Sequence, residues 1–457
     1  MANVSTSKRI KGWMMYDWAT QPFHTLVISF VFAPYFAEQV IAMLRDGGLD
    51  EATAKAQAQS IWGTALTVSG ILIALMAPIL GAIADLSGRK MPWIWVFSAL
   101  YTVGAAGLWL AVPTALPIYT VLGFFIMGMI GLEFTTIFTN AMLPTLGTKE
   151  EIGKVSGNGW AWGYVGGFIA LLIMLFLFAE NAMGVTLANI PPILGLDPEM
   201  REGSRFVGPF SALWFVIFMI PFFLWVRDAD APSVKMTHAV RNGMTSLIDT
   251  LKSLPSRQSM LAYLMSSMFY RDSLNGVFAF GGIYAFGVLN LTTTDIGIFG
   301  ILAIISGAVF TYVGGFQDAK RGPKPVIIFS IITLILVCAF IVTITPSSVL
   351  FIPVATGSAA PVIAFYLSGV ALGAVSGVIQ SASRTMMVRQ ADPKRMTEAF
   401  GLYALSGKAT SFLAPALIAA TTALTNSQRL GITPLIALFL IGLVLLVWVK
   451  PDGEEVE

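Results

Sequence analysis

The residues of this sequence best suited to chemistry are polar and ionisable side chains that interrupt long apolar runs. A charge at bilayer depth costs about 3 kcal/mol on insertion scales, so each such residue is a candidate for a functional role. The set lies in both halves of the chain and consists of Asp17, Gln21, His24, Glu133, Arg271, Asp272, Asn275 and Gln380. Because it contains both signs of charge, it suits a small solute that is itself a zwitterion.

Three of these residues share one helical face near the N-terminus. Asp17, Gln21 and His24 follow at i, i+4 and i+7, a spacing that aligns side chains along a helix. Asp17 has two interpretations, a site for a proton or a substrate amine and a structural cap near the helix end. His24 is either a group that titrates near neutral pH or a hydrogen-bonded packing residue.

Glu133 lies deep in its apolar run. Desolvation favours the neutral form of a carboxyl group, so a buried glutamate can take up a proton near neutral pH. The alternative is a buried ion pair with an arginine. We predict that Glu133 takes part in proton coupling.

Arg271 and Asp272 are adjacent in one apolar run. Neighbouring side chains on a helix point about 100° apart, so the two should not form a self-contained pair. We expect Arg271 to meet a substrate carboxylate or a partner such as Glu133, since a guanidinium group binds carboxylates through two parallel hydrogen bonds.

Enzymatic chemistry has no visible basis in the sequence. No nucleophile with a matching base and no phosphate-binding loop is present, so we predict that the chain is not an enzyme. His24 and His238 are the only histidines and Cys338 the only cysteine, and we expect no metal site and no cofactor. A net charge of +2 argues against nucleic acid as a partner.

The elements that must position these residues are membrane spans. Of the 457 residues 56% are hydrophobic and 11% are charged, against roughly 25% charged in soluble proteins. A span needs about 20 mainly apolar residues. Twelve stretches qualify, at 14–41, 61–84, 92–112, 117–142, 155–179, 209–226, 260–287, 293–316, 325–345, 360–383, 398–424 and 432–449.

The distribution of Lys and Arg between the spans predicts the topology. Most of the 27 fall on the side that also holds the N-terminus, so both termini should be cytoplasmic. The chain then divides into an N-terminal six-helix bundle (1–226), a cytoplasmic linker with an amphipathic helix (227–259), and a C-terminal six-helix bundle with a short tail (260–457). The linker helix either lies on the membrane surface or packs under the bundle.

The two halves resemble each other. The segment from Gly81 to Asp85 has a counterpart from Gly314 to Asp318, each at the end of a span. Placing Asn140 on Arg384 also places Gly157 on Gly401. A duplicated six-helix unit explains both matches, and such repeats are typical of secondary transporters.

The pattern G-x-x-x-D-x-x-G-R-[RK] follows the second span, at Gly81, Asp85, Gly88, Arg89 and Lys90. It resembles the signature of the major facilitator superfamily. The resemblance implies an all-α membrane protein of twelve transmembrane helices in two pseudo-symmetric six-helix bundles, with this loop closing the cytoplasmic gate. We assign gating roles also to Asp318 and Arg321 of the second copy, where the order Gly-Arg is reversed, and to Arg384 and Lys408.

Finer features look like the vacuole-effluxer-like family within that superfamily. They are Tyr16, Asp17 and Trp18 in the first span, Trp160 and Gly163 in the fifth, and Arg384, Glu398 and Gly401 near the tenth and eleventh. The resemblance implies a secondary active transporter that moves an amino acid or related zwitterion by alternating access, with a site at mid-membrane lined by helices one, four, seven and ten. Proton coupling is our hypothesis for the driving force.

Two alternatives stay open at this point. One is a sugar–cation symporter of the same superfamily, and the other is a non-transporting membrane sensor on the same fold. In each case we expect a multi-pass monomer in a bacterial inner membrane, with a small solute, protons and the lipid bilayer as its partners.

Overall fold

A computed structural model of the chain describes residues 4–113, 116–181, 183–228, 236–355 and 357–454. The first half of the chain is built from helices and two short π-helical segments, Phe23–Phe30 and Met174–Phe178. In chain order the helices are α1 (Thr6–Pro22), α2 (Phe32–Asp46), α3 (Glu51–Ser87), α4 (Met91–Gly107), α5 (Ile118–Asn140), α6 (Ile152–Ile173), α7 (Glu202–Arg205) and α8 (Val207–Trp225).

The second half is also helical and contains one small hairpin, with β1 (Ser348–Val349) antiparallel to β2 (Ile352–Pro353). Its helices are α9 (Met236–Ser253), α10 (Gln258–Gly287), α11 (Thr293–Arg321), α12 (Pro323–Thr343), α13 (Ala360–Gln390), α14 (Met396–Ala409), α15 (Leu413–Thr425), α16 (Gln428–Gly431) and α17 (Pro434–Leu445). The prediction of an all-α membrane protein is confirmed.

Eleven helical stretches of the described chain are long and apolar enough to cross a membrane. The remaining predicted span is the seventh, 260–287, which corresponds to α10; this helix has 30 residues and carries Arg271 and Asp272 in its middle. In a bilayer every backbone polar group must be satisfied within the protein, and long helices do this locally.

The second span ends at a glycine, and the third begins at an acidic cap. Gly88 adopts φ +68°, a left-handed conformation that stops α3 directly after Ser87. The carboxylate of Asp228 then accepts hydrogen bonds from the backbone N–H groups of Lys90 (2.8 Å) and Met91 (3.2 Å) at the start of α4. The loop between the two helices is therefore held at both ends.

The chain forms two compact units. Within the described residues, the first contains Met1–Met76, Arg89–Thr139 and Trp162–Pro232. The second contains Ala77–Gly88, Asn140–Ala161 and Ser233–Glu457. Two segments from the first half of the sequence, the end of α3 and the stretch from the end of α5 into α6, thus pack with the second half.

The core of the first unit combines close backbone contacts with buried aromatic rings. Gly104 of α4 lies against the backbone of Gly128 of α5, and Gly131 lies against Tyr101, at separations that leave no room for a Cβ atom. The ring of Phe97 stacks on Phe134 with centroids 4.6 Å apart. Small residues let the helices approach closely, and the rings fill the spaces between them.

The linker segment contains the helix α9, while residues 229–235 of that segment lie outside the described residues. One face of α9 packs in the second unit, where Gly243 contacts the side chain of Ile83. The opposite face leaves Val240, Met244, Ile248 and Leu251 exposed. The helix is therefore apolar on a packed side and on an exposed side.

Candidate functional site

In the first unit, α1 presents its polar residues next to the glycines of α6. A Cβ on Gly163 would lie 3.2 Å from the backbone oxygen of Asp17, and one on Gly167 would lie 2.7 Å from the side chain of Gln21. Both polar residues are half-buried, whereas His24, in the π-helical segment that follows α1, is exposed. The glycines of α6 bring its backbone within contact distance of the polar face of α1.

Glu133 lies on α5, beside the hydrogen bonds that join α5 to α1. The hydroxyl of Tyr16 is 2.6 Å from that of Thr136 and 3.1 Å from that of Thr135, and Tyr16 is buried. Glu133 itself is half-buried. The Tyr16 hydroxyl also lies 3.3 Å from the carbonyl oxygen of Leu132, the residue before Glu133, and Asp17 follows Tyr16 in α1.

In the second unit, Arg271 of α10 is held by α14. One Nη1 hydrogen is donated to the carbonyl oxygen of Tyr403 (2.8 Å), and the guanidinium carbon lies 4.0 Å from the centre of the Tyr403 ring. A Cβ on Gly407 would lie 2.6 Å from the guanidinium group. Tyr403 thus orients Arg271, and the glycine provides the space it occupies.

Asp272 contacts a different helix. Its Oδ2 accepts a hydrogen bond from the backbone N–H of Ala414 (2.9 Å), in the first turn of α15. The residue is 1% exposed, and its Oδ1 has no hydrogen-bond partner among the described residues. Arg271 and Asp272 therefore hold two separate helices, α14 and α15, which together form one predicted membrane span.

The other two polar candidates of the second unit are less constrained. Asn275 is exposed, and Gln380 of α13 donates to the carbonyl oxygen of Ser376 in its own helix (3.2 Å). Within the second unit the structure thus gives a precise position to Arg271 and Asp272 and leaves these two amides at the helix surface.

Arg384 of α13 lies away from these residues, in a buried network with α5 and α6. It donates from Nε to the hydroxyl of Ser156 (2.9 Å), from Nη2 to the Ser156 carbonyl (2.8 Å) and from Nη1 to Oδ1 of Asn140 (3.2 Å). Arg384 is 4% exposed. This set of charge-assisted hydrogen bonds joins α13 to the segments 140–161 within the second unit.

The loop motif makes a second such junction. Asp85, near the end of α3, accepts hydrogen bonds from the Thr397 hydroxyl (2.6 Å) and from the backbone N–H of Glu398 (2.8 Å). Both donors are in the first turn of α14, where a carboxylate is favoured by the unpaired N–H groups and the helix dipole. A Cβ on Gly81 would lie 2.6 Å from the carbonyl oxygen of Thr397, so Gly81 permits this approach.

The second copy of the motif brings Asp318 of α11 against α6. A Cβ on Gly153 would lie 2.7 Å from the Asp318 carboxyl carbon. Asp318 is 1% exposed, and neither carboxylate oxygen has a hydrogen-bond partner among the described residues.

The remaining gating candidates lie at helix ends. Arg89 and Arg321 are exposed, the first after Gly88 and the second as the last residue of α11. Lys90 contributes its backbone N–H to the Asp228 cap. Lys408 is half-buried in the last turn of α14.

Several residues of these junctions could not be identified from any single sequence motif. Ser156, Gly153, Thr397 and Asp228 are the clearest cases, because each is polar or small and is given its role by a partner far away in the sequence. Asn140 and Gly153 lie at the positions that the repeat equates with Arg384 and Thr397. The repeat was therefore the feature of the sequence that could have pointed to Asn140 and Gly153.

A separate cavity of about 320 Å³ lies in the first unit, where α2 meets the segment before α8. Arg201 pairs there with both oxygens of Glu38 (3.1 Å each) and donates from Nε to buried Glu180 (3.1 Å). Glu180 also accepts the backbone N–H of Ser204 (3.2 Å). The charges lining this cavity are thus engaged with one another.

The comparisons with known proteins establish the family. A family model described as "Vacuole effluxer Atg22 like" matches residues 5–456. The chain belongs to this family. The resemblance that the motifs indicated is confirmed.

Two relatives show the range of the family. The chain is 24% identical over 446 residues to an uncharacterised MFS-type transporter, YxiO, of Bacillus subtilis, covering 98% of this chain and 96% of that protein. It is 22% identical to autophagy-related protein 22 of Yarrowia lipolytica, covering 66% of this chain and 52% of that protein. The match therefore spans only about half the length of this fungal relative.

Solved structures show the fold. The proton:xylose symporter XylE superposes with a TM-score of 0.67 at 13% identity, over 97% of this chain and 94% of that one. The human organic anion transporter MFSD10 gives 0.67 and 13%, over 97% and 100%. The predicted major facilitator fold is confirmed, and the chain is a multi-pass membrane transporter of that superfamily, not an enzyme.

Proposed function

We propose that this transporter carries an amino acid or a related small zwitterion by alternating access, and that Arg271 binds the carboxylate of that solute. The observation that supports the proposal is the fixed position of an arginine in the middle of a 30-residue helix. A cation at that depth is costly, so its retention points to a function.

Arg271 has more N–H donors than its contacts among the described residues use. A guanidinium group has five N–H donors, and the printed contact to Tyr403 uses one of them. No other described residue accepts a hydrogen bond from Arg271, which is half-buried. A carboxylate could therefore be bound by two parallel N–H groups without displacing the contact that orients the side chain.

The coupled proton needs an acceptor, and we assign this role to acidic residues of the first unit. Asp17 and Glu133 are acidic residues at membrane depth on α1 and α5, and Gln21 and His24 continue the polar face of α1. On α10 and α13, Asp272, Asn275 and Gln380 complete the proposed polar set. Proton coupling predicts that neutralising Asp17 and Glu133 abolishes pH-driven uptake into vesicles.

We further propose that the junctions of the second unit close the cytoplasmic side of the pathway. The segments 77–88 and 140–161 come from the proposed bundle 1–226 but pack with the proposed bundle 260–457. Any movement of the two bundles must break the contacts of Asp85 with α14 and of Arg384 with Ser156. We infer contributions from Gly81, Gly88, Arg89, Lys90, Asp318, Arg321 and Lys408 to the same transition.

The proposed setting is a bacterial inner membrane with both termini in the cytoplasm, and the proposed working form is a monomer. The excess of Lys and Arg on one side supports the orientation. Fusing a fluorescent protein or alkaline phosphatase to the C-terminus tests it. A cytoplasmic terminus yields a fluorescent fusion and an inactive phosphatase, and the reverse pattern would contradict the assignment.

The substrate proposal is tested by ligand-induced thermal stabilisation of the purified protein in detergent, screening amino acids, dipeptides, sugars and organic acids. A ligand that binds the folded state raises its melting temperature. We expect an amino acid to stabilise the wild type and to lose that effect in Arg271→Gln. The matched control is Arg429→Gln, because Arg429 also donates to a carbonyl oxygen, that of Val342 (2.6 Å), and lies over a ring, that of Phe351 (5.7 Å).

Each outcome of this screen has a defined meaning. Stabilisation that survives in Arg271→Gln and disappears in Arg429→Gln would contradict the assigned site. Stabilisation by sugars alone would support a sugar–cation symporter. A folded protein that binds a solute but does not move it across a vesicle membrane would support a sensor.

A further inference from the structure

The predicted span 398–424 is not one helix. It is divided into α14 and α15 by a turn at Thr410, Ser411 and Phe412. In the turn, the backbone N–H of Ser411 donates to the carbonyl of Lys408 (3.3 Å) and that of Leu413 to the carbonyl of Thr410 (2.7 Å). A break of this kind leaves helix ends inside the membrane, where they need partners from elsewhere in the protein.

Adjacent residues of α10 contact the helices on the two sides of the turn. Arg271 donates to the carbonyl oxygen of Tyr403 in the middle of α14. Asp272 accepts the N–H of Ala414 in α15, where an anion suits the positive end. The bend between α14 and α15 is thus held from a single point on α10.

Only one of the two carboxylate oxygens of Asp272 makes a hydrogen bond among the described residues. Oδ2 bonds to Ala414, while Oδ1 is buried without a partner among the described residues. The neighbouring surfaces are apolar, because Ala414 and Leu435 both pack at Gly276, one helical turn beyond Asp272. The helix end favours the ionised carboxylate, and the apolar burial favours the protonated one.

The elements that pack against α10 differ in the ionisable residues that they carry. The helices α15 and α17 carry none. The others carry Glu398, Tyr403 and Lys408 (α14), Arg429 (α16), Tyr366, Arg384 and Arg389 (α13), and Asp295, Tyr312, Asp318, Lys320 and Arg321 (α11), and α10 itself carries Tyr263, Tyr270, Arg271 and Tyr284. Lys408 is the charged residue of this set that adjoins the turn.

We propose that Asp272 is a proton-binding site that controls the bend between α14 and α15. The ionised carboxylate holds the first turn of α15 in place. When Oδ1 accepts a proton, the neutral carboxyl group loses its attraction for the helix end, and the turn from Thr410 to Phe412 becomes free to rearrange. The inference extends the proposed transport function, in which α14 is also bound by Asp85 at its other end.

The structural readout is amide hydrogen exchange of the full-length protein in detergent, followed by mass spectrometry of peptides that cover 408–418. After correction for the intrinsic pH dependence of exchange, we expect the wild type to lose protection several-fold between pH 8 and pH 5. Asp272→Asn keeps an acceptor for the Ala414 N–H but cannot bind the proton, so its protection should not change with pH.

The matched control is Asp392→Asn. Asp392 also caps a helical segment of the same span, accepting the N–H of Lys394 (2.8 Å), but it is not buried. It should retain the full pH response in 408–418. A second variant, Asp272→Gln, serves if the asparagine variant does not fold, because its amide oxygen can also accept a hydrogen bond and it does not titrate near neutral pH.

A wild type without a pH response in 408–418, or an Asp272 variant that responds like the wild type, would overturn the proposal. The measurement needs no transported solute. Its failure is therefore distinguishable from failure of the substrate assignment, which the thermal screen on Arg271 tests separately.

Discussion

Asp85 and Asp318 occupy equivalent places in the two repeats, yet they meet different surroundings. Each lies near the C-terminal end of a long helix and reaches the first turn of a helix from the other half of the sequence. Asp85 accepts two hydrogen bonds there, at 2.6 and 2.8 Å. Asp318 is more deeply buried than Asp85. No hydrogen bond of normal geometry to its carboxylate is found among the described residues, although Thr385 and Arg389 lie near it.

The difference traces to one position of the repeat. Thr397, which donates its hydroxyl to Asp85, corresponds to Gly153, which has no side chain to offer Asp318. The packing part of the contact is retained in both copies. Gly401 lies against Ala77 and Pro78 of α3, and its counterpart Gly157 lies against Thr311 and Gly315 of α11. The close helix crossing is thus present in both copies, whereas the polar cap is present in one.

A third pair of equivalent positions meets directly. Arg384 donates to Asn140, the residue that the repeat places at the same position in the other half. The two halves therefore contribute different chemistry to one junction, a cation from one and an amide acceptor from the other. The asymmetry implies that the two acidic caps contribute unequally to this conformation.

The largest expected effect is the contrast between Asp85→Ala and Asp318→Ala. Removing Asp85 leaves two donors at a helix start without their charged acceptor, which should destabilise the protein by about 3 kcal/mol. Removing Asp318 deletes a buried carboxylate to which its neighbours Thr385 and Arg389 make no well-formed hydrogen bond, so the loss should stay below about 1 kcal/mol. Thermal unfolding of both variants in one detergent at one pH measures the contrast, and equal losses would refute it.

Much of the fold could be predicted from the sequence. The spans, the loop motif and the repeat depend on hydropathy, on charge and on short local patterns, and these are visible in one dimension. The position of Asp85 at a helix N-terminus follows from the motif. By contrast, the break between α14 and α15 was missed, although Pro415 in the first turn of α15 and the polar pair Thr410 and Ser411 were an available signal.

The partners of the polar residues could not be predicted, for a physical reason. Asp272 and Ala414 are 142 positions apart, and Arg384 and Ser156 are 228 apart. Such contacts depend on how helices pack, and no local pattern encodes them. The expectation that Arg271 and Asp272 do not face each other required only helix geometry, whereas the identity of Tyr403 as the partner of Arg271 required the fold.

A smaller contrast is expected between the two equivalent glycines Gly81 and Gly314. A Cβ on Gly81 meets backbone atoms of Thr397 and Glu398 at 2.6 to 2.9 Å, which cannot move without separating the helices. A Cβ on Gly314 meets only the side chain of Val378, at 2.8 Å or more. Gly81→Ala should therefore cost about 2 kcal/mol and Gly314→Ala less than about 1 kcal/mol.

The contrast between Gly81 and Gly314 should also appear in amide hydrogen exchange. Hydrogen exchange of the first turn of α14 should increase in Gly81→Ala, because the Asp85 cap is displaced, and should be unchanged in Gly314→Ala. Equal increases in the two variants would mean that the two copies of the contact carry equal weight, contrary to the prediction.

The smallest expected effect concerns the hydroxyl group of Thr397, which has no counterpart at the equivalent position Gly153. Thr397→Val removes the hydrogen bond to Asp85 at nearly constant volume and leaves the one from the Glu398 N–H, so we expect a loss of about 1 kcal/mol. Thr397→Ser keeps the hydroxyl and is the matched control, with a loss below that of the valine variant. In an Asp85→Ala background the valine substitution should have no further effect, because its partner is absent. If the two losses add instead, the hydroxyl of Thr397 stabilises the protein through a contact other than Asp85, and the missing side chain at Gly153 does not explain the difference between the two repeats.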